Sequence, residues 1–368
     1  MDKKIKDAFL LLLKQGLWGK RIEPKFEFKM NKEEWSLIYQ ISLSQTVEGI
    51  VYEGVLLLPN EYYPPYEILL RWTAKIDSIE RFNKKVRNSL SILADGLTQN
   101  NIKFLLLKGL GLAENYNKPL LRVSGDIDLY FPTLEDYNNA NSLLRAKGSI
   151  INKGDHHSVF YVFNNVEIEH HTKMIDVFNP FCQKYIKDLI SGEVNNNGTL
   201  VINEQQISIP SYTLSQVQAN AHILKHYMGF GIGLRQICDV ARLCQVKDES
   251  FNGNELKSIY IRLGLERWMN VIHNLLIKDL GLEESKLPYQ IERDYDTEPI
   301  MNDIFNSGNF GFHEIRYRDG ESNLSDRYYK RDNLFKRVIP HIIKSINLVP
   351  KEVFWYPMNK LYTKLTGN

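Results

Sequence analysis

The stretch Arg122-Val123-Ser124-Gly125-Asp126-Ile127-Asp128-Leu129-Tyr130-Phe131, closed by Pro132, decides how this chain reads. Acid and apolar residues alternate from Asp126, an apolar run follows, and proline ends it, which is the pattern of a short buried strand. On a strand the side chains at i and i+2 leave the same face, so Asp126 and Asp128 point one way while Ile127 points into a core. Two adjacent carboxylates repel each other. A divalent cation relieves that repulsion, and this is how nucleotide-processing sites hold Mg²⁺ between enzyme carboxylates and substrate phosphates. The plainer reading is two solvated acids on a half-exposed strand.

The flanking residues favour the first reading. Upstream, Ile102–Leu107 is an apolar run suited to a buried strand, Lys108-Gly109-Leu110-Gly111 is a turn, and Leu112–Asn117 suits a short helix stopped before Pro119. Strand, glycine turn and helix together aim backbone N–H groups and a positive helix end at an anion. Lys108 stands at that turn, and Arg122 lies four residues before Asp126. Downstream, Thr133 with Asp136 predicts a capped helix over residues 134–147. Ser158–Phe163 and Val166–His170 read as strands joined by a tight Asn164-Asn165 turn. Glu167 and Glu169 share a face of the second of these strands, so either can supply a third carboxylate. His156 and His157 read as strand residues near the same cleft. The middle third is therefore mixed α/β.

Helical texture surrounds it. Trp35, Ile38, Ile41, Val47, Ile50 and Val51 recur at helical spacing, and a second pattern runs from Tyr66 through Leu97 beyond a proline-rich break at residues 59–65. After a predicted hairpin at residues 198–209, Thr213-Leu214-Ser215-Gln216 resembles a capping box opening a helix to Met228. Gly229, Gly231 and Gly233 then form a turn before a helix over Leu234–Cys244. From Arg327 to Asn368 there are nine Lys or Arg and two acids, with Phe354, Trp355, Tyr356 and Tyr362 interleaved. Such a tail offers a surface for nucleic acid or an anionic membrane, although the aromatic residues serve more simply as a packing face. No internal repeat is visible.

At 368 residues the chain is long enough for two to three domains, read here as a helical region 1–95, an α/β core 96–210 and a C-terminal helical domain 211–368. Hydrophobic residues are 43% and charged residues 24%, which excludes disordered, collagenous and disulfide-scaffold classes. A net charge of +2 gives no global field for nucleic acid or membrane, so any charge logic is local. The three cysteines lack zinc or redox spacing. The apolar run Ala8–Leu13 is too short for a leader and lacks a cleavage site, so an amphipathic first helix is expected. With no span of membrane length, a cytoplasmic protein without integral membrane association is predicted.

These residues also resemble a family. Leu107-Lys108-Gly109, Tyr116, Arg122, Gly125-Asp126-Ile127-Asp128-Leu129 and Glu169-His170-His171 resemble the polymerase-β-type nucleotidyltransferases, specifically the bacterial branch of uncharacterised nucleotidyltransferases. His222-x-x-x-His226, Gly231-Ile232-Gly233-Leu234-Arg235 and Asp239 extend the likeness, which runs over roughly residues 30–245. The resemblance implies an α+β fold: a polymerase-β-like nucleotidyltransferase core, a small mixed sheet with helices, flanked by helical segments. It implies that Asp126, Asp128 and a third carboxylate, Glu169 in preference to Glu167, hold two Mg²⁺ ions, with Mn²⁺ able to replace them. The implied co-substrate is an NTP, most simply ATP, whose nucleoside monophosphate moves to a hydroxyl with loss of pyrophosphate. Lys108, Gly109, Arg122, Ser124 and Arg235 are the implied nucleotide contacts. The wider superfamily has a serine at the glycine turn and this chain has none there, which leaves Ser124 and Lys108 as candidate substitutes.

Simpler readings stand beside these. Arg122 is otherwise a surface arginine paired to an acid, and Arg235 a helix partner of Asp239. His222 and His226 have the spacing that begins many zinc sites but more often pack as core histidines. The first acceptor expected is a small molecule such as an aminoglycoside, sugar or natural-product intermediate. The run Arg122-x-Ser124-x-Asp126-x-Asp128 also resembles abortive-infection toxins, which makes tRNA or protein the alternative acceptor. An inactive scaffold of the same fold and a zinc hydrolase built on the histidine pair complete the alternatives.

Overall fold

The computed structural model describes residues 2–24, 27–153, 158–229, 231–247, 251–309 and 334–366. His156 and His157, and residues 327–333, 367 and 368 of the basic tail, lie outside the described residues. By its contacts the chain divides into two compact units: one of residues 1–72, 177–180 and 220–359, the other of residues 73–176, 181–219 and 360–368.

The first unit is helical. It contains α1 (Lys3–Trp18), α2 (Lys32–Ser44), α3 (Glu48–Leu56) and the start of α4 (Tyr66–Gln99), and later chain adds further helices. An amphipathic first helix is present as expected, with Phe9, Leu12 and Leu13 fully buried. α1 and α3 cross at glycines: a Cβ on Gly16 would sit 1.7 Å from the Ile50 carbonyl oxygen, and one on Gly54 would sit 1.9 Å from that of Leu12. Backbone cannot yield as a side chain can. Gly54→Ala is therefore expected to destabilise the chain by about 3 kcal/mol or more, read as a fall in denaturant midpoint at constant slope. An unchanged midpoint would show that the two helices can part without cost.

The second unit holds the remainder of α4, then β1 (Leu105–Leu106), α5 (Lys108–Ala113), β2 (Ile127–Tyr130), α6 (Leu134–Ala146), β3 (Asn152–Lys153), β4 (Ser158–Phe163) and β5 (Val166–His171). α7 (Gln183–Gly192) and the hairpin β6 (Gly198–Ile202) and β7 (Gln205–Ile209) follow. The five-stranded sheet runs β1-β2-β5-β4-β3, with β2 and β5 parallel and the other neighbours antiparallel. The fold is thus α+β with a small mixed sheet. Leu90, Leu93 and Ala94 of α4 and Ala140 and Leu144 of α6 join Ile127, Leu129, Tyr161, Val166 and Ile168 in one apolar cluster. That cluster takes the alternate residues of β2 and β5 and leaves the carboxylates on the other face.

Several local readings hold. The β4–β5 turn has Asn164 at φ 50° and Asn165 at φ 55°, as a two-residue hairpin of this hand requires. Thr133 caps α6, its hydroxyl accepting from the Asp136 N–H at 3.0 Å. Others need correction. The ladder at Ile102–Leu107 is only two residues long, Leu105 and Leu106 pairing with Tyr130 and Leu129 of β2. The helix expected at Leu112–Asn117 lies earlier, over Lys108–Ala113, since a left-handed kink at Lys108 and Gly109 lets the backbone turn straight into it. The helix α8 (Tyr212–Gly229) is opened by Ser211, not Thr213, the Ser211 hydroxyl accepting from the Leu214 N–H at 3.2 Å. α9 spans Leu234–Gln245. In the C-terminal helix Pro350–Thr366 the aromatic run divides, Tyr356 being buried edge-on to Phe178 and Phe354 exposed. No helix among the described residues is long and apolar enough to cross a membrane.

Candidate active site

Parallel pairing of β2 with β5 sets Asp128 opposite Glu169 and Ile127 opposite Ile168. Alternation then brings Glu167, Glu169 and His171 to the face that carries Asp128, with Asp126 one residue ahead of β2. Two sets of ligand atoms result, each within 4.8 Å of one another: Asp126, Glu167 and Glu169, and Asp128, Glu169 and His171. Glu169 belongs to both. Carboxylate oxygens with a single imidazole suit a hard divalent ion such as Mg²⁺ or Mn²⁺, so the residues present fit the metal that the resemblance implies.

The negative charge is held by two cations of the chain itself. Lys108 Nζ lies 3.2 Å from Asp128 Oδ1, and His171 Nε2 donates to Asp128 Oδ1 at 2.7 Å and reaches Glu169 Oε2 at 3.3 Å. Burial alone would lower Lys108, but Asp128, Asp126, Glu169 and Asp176 hold it above the ordinary lysine range. His171 is likewise opposed by burial, yet its hydrogen bonds to Asp128 and Glu169 raise it to about 9. The Asp128 charge, with burial, pushes Asp126 up to about 6. The cluster thus stores repulsion at Asp126 and offsets it at Asp128.

The turn before α5 brings Lys108 into place. Lys108 has φ 20° and Gly109 has φ 41° with ψ −109°, a combination that favours glycine. The Leu107 N–H donates to the Asp128 carbonyl at 3.0 Å, tying this turn to β2. Arg122 is not the exposed arginine of the simpler reading. It is 5% exposed, and its Nη1 donates to the Val123 carbonyl at 3.1 Å. Its own carbonyl accepts from the Asn83 side chain of α4 at 2.8 Å, which steadies the approach to Asp126. The Ser124 hydroxyl is buried and makes no hydrogen bond among the described residues.

Behind β5, His170 Nδ1 donates to Asn141 Oδ1 at 2.8 Å, leaving Nε2 to accept from the Tyr161 hydroxyl at 3.1 Å. Burial and the adjacent His171 drive His170 down to about 3, so its ring is neutral. Neighbouring histidines on one strand therefore carry opposite duties, one a neutral brace and one a cation.

Arg235 stands in the first turn of α9 and belongs to the first unit, whereas Asp126, Asp128 and Glu169 belong to the second. His222 and His226 face each other with Nε2 atoms 3.1 Å apart. No set of three possible metal ligands among the described residues includes them. His171 stands in the Glu169-His170-His171 run, but sequence reasoning gave it no role at the site. The signal was present, since it lies two positions beyond Glu169 and so shares its face.

His171 predicts a pH response. A histidine raised from 6.5 to about 9 contributes stability that is full below pH 6.5 and is lost as pH rises through 9. With chelator present, the wild-type melting temperature should fall between pH 6.5 and 9.5, and His171→Gln should flatten that fall. Parallel curves for the two proteins would remove the charged histidine from the account.

A small mixed sheet bearing carboxylates on one face beside a glycine turn defines an α+β nucleotidyltransferase. The chain belongs to the family described as uncharacterised nucleotidyltransferase, whose sequence model matches residues 31–275. It is also similar to a solved structure, an antigenic nucleotidyltransferase-like protein from Paracoccidioides brasiliensis, with 19% identity over 54% of this chain and 93% of that one and a TM-score of 0.34. No curated protein matches it.

Proposed function

We propose that the protein moves a nucleoside monophosphate from an NTP, most simply ATP, to an acceptor hydroxyl and releases pyrophosphate. The observation that carries this reading is the pair of three-ligand sets sharing Glu169 across the parallel β2–β5 register. Asp126, Asp128 and Glu169 would hold two divalent ions, Mg²⁺ or Mn²⁺, with Glu167 and His171 in reach of one set each. Bound there, such ions would neutralise phosphate charge and lower the pKa of the attacking hydroxyl. Lys108 and the turn at Gly109 would orient the triphosphate, with Arg122 and Ser124 as further nucleotide contacts. Glu169 would accept the hydroxyl proton. The new bond forms between the acceptor oxygen and the α-phosphorus, and the bond to the bridging oxygen breaks, so pyrophosphate takes the electron pair. Buried thiols in place of disulfides at Cys182, Cys238 and Cys244 support a cytoplasmic setting.

The test is incubation with α-labelled NTPs, Mg²⁺ and candidate acceptors, following both label uptake and pyrophosphate. Transfer that disappears with chelator is expected. Equal labelling by the double variant Asp126→Asn, Asp128→Asn would overturn the assignment. A small-molecule acceptor is the reading drawn from sequence, and a polynucleotide acceptor is favoured by a surface of the second unit.

A further inference from the structure

The carboxylate cluster leaves a second concavity of the same unit unexplained. Arg81, Lys84, Lys85 and Asn88 of α4 line an open groove of about 710 Å³ with Ser89, and Asn164 and Asn165 of the β4–β5 turn close its other side. Steps of three and four residues put the three cations on one helix face. Asp77 and Glu80 stand four residues before Arg81 and Lys84, the spacing at which helices close ion pairs, yet neither pair is closed among the described residues. Among the described residues no acid lines the groove. Asn88 accepts from the Asn203 side chain at 2.6 Å, which leaves its N–H groups available. Ser89 is 1% exposed, and its hydroxyl has no hydrogen-bond partner among the described residues.

Cations without an acid partner among the described residues, together with carboxamides along an open channel, suit a chain of phosphates rather than an enclosed small molecule. Arginine matches a phosphate with two donors, and carboxamides can both donate to and accept from a ribose 2′-hydroxyl. Asn164 and Asn165 lead directly into β5, the strand that carries Glu167 and Glu169. We propose that this groove binds the phosphodiester backbone of an RNA strand that supplies the acceptor hydroxyl. The proposal rests on the transfer reaction above: the strand's hydroxyl oxygen bonds the α-phosphorus, its proton passes to Glu169, and pyrophosphate leaves.

The test uses the full chain and a short fluorescein-labelled RNA oligonucleotide of mixed sequence, followed by anisotropy across a salt series. Three phosphate contacts on single-stranded RNA should contribute about 2 to the slope of log affinity against log salt. The triple variant Arg81→Gln, Lys84→Gln, Lys85→Gln should lose that contribution and bind at least about tenfold more weakly at low salt. Lys84→Arg with Lys85→Arg should keep both affinity and slope, and polyglutamate should not displace the RNA. Unchanged affinity and slope in the triple variant, with its melting curve intact, would overturn the groove, as would displacement by polyglutamate at equal charge. Mg²⁺-dependent ATP binding is measured alongside and should be equal in wild type and triple variant. Its absence from the wild type would overturn the reaction and the acceptor role, separately from the groove's slope.

Discussion

Asparagine in place of either Asp126 or Asp128 is expected to lower the proposed nucleotidyl transfer on the order of a thousandfold or more, yet the two substitutions should move stability in opposite directions. The common loss follows from removing a carboxylate where phosphate charge must be neutralised, worth several kcal/mol of barrier. The divergence follows from surroundings. Asp126 is raised from an ordinary 3.8 to about 6 by the Asp128 charge and by burial. Holding it ionised at pH 7 therefore costs about 3 kcal/mol at most, and Asp126→Asn is expected to raise stability by about 1–3 kcal/mol. The sign fixes the pH window. A carboxyl raised in the folded state binds its proton more readily there than in the unfolded chain, so wild-type stability grows as pH falls from 6 towards 4, and the advantage of the variant fades over that range. Asp128 is 2% exposed and engages both Lys108 and His171. Asp128→Asn strands those cations and should cost about 3 kcal/mol. Melting curves at pH 7 and pH 4.5 in chelator, beside label transfer in Mg²⁺, check all four expectations. Loss of stability in both variants would mean that the carboxylates are structural rather than strained.

Lys108→Met carries the second large effect. The lysine is the chain's own counter-charge to Asp128, Asp126, Glu169 and Asp176. Deleting one partner of a buried ion pair typically costs about 3–5 kcal/mol. An isosteric apolar chain keeps the packing, so the loss should appear as a lower melting temperature in chelator. Mg²⁺ should then restore more stability to Lys108→Met than to wild type, because binding to the folded state is rewarded most where charge compensation is missing. Equal metal-induced shifts in both proteins would place the divalent ion elsewhere than beside Asp128. On the proposed reaction, transfer activity should remain low even with metal, since the cation assigned to the triphosphate is gone.

Much of this site could be read from local pattern, because a strand repeats every two residues. That rule alone put Asp126 and Asp128 on one face, paired Glu167 with Glu169, and left Ile127 and Ile168 for the core. The Asn164-Asn165 turn was equally local, as few residues accept two consecutive left-handed conformations. Local rules erred where neighbours compete: Thr213 and Ser211 both have a capping hydroxyl, and only the path of the preceding chain selects Ser211.

What no local pattern could supply was pairing between distant segments. The parallel register that sets Asp128 against Glu169, the kink that turns Lys108 onto Asp128, and the recruitment of His171 as a cation all arise when β2 and β5 meet over the α4–α6 core. Register between separated strands depends on burying both apolar faces at once, a condition on the whole core rather than on any stretch of residues. The basic groove has the same origin. Its helix shows only an ordinary charged face in sequence, and the groove exists because the β4–β5 turn comes to rest beside that face.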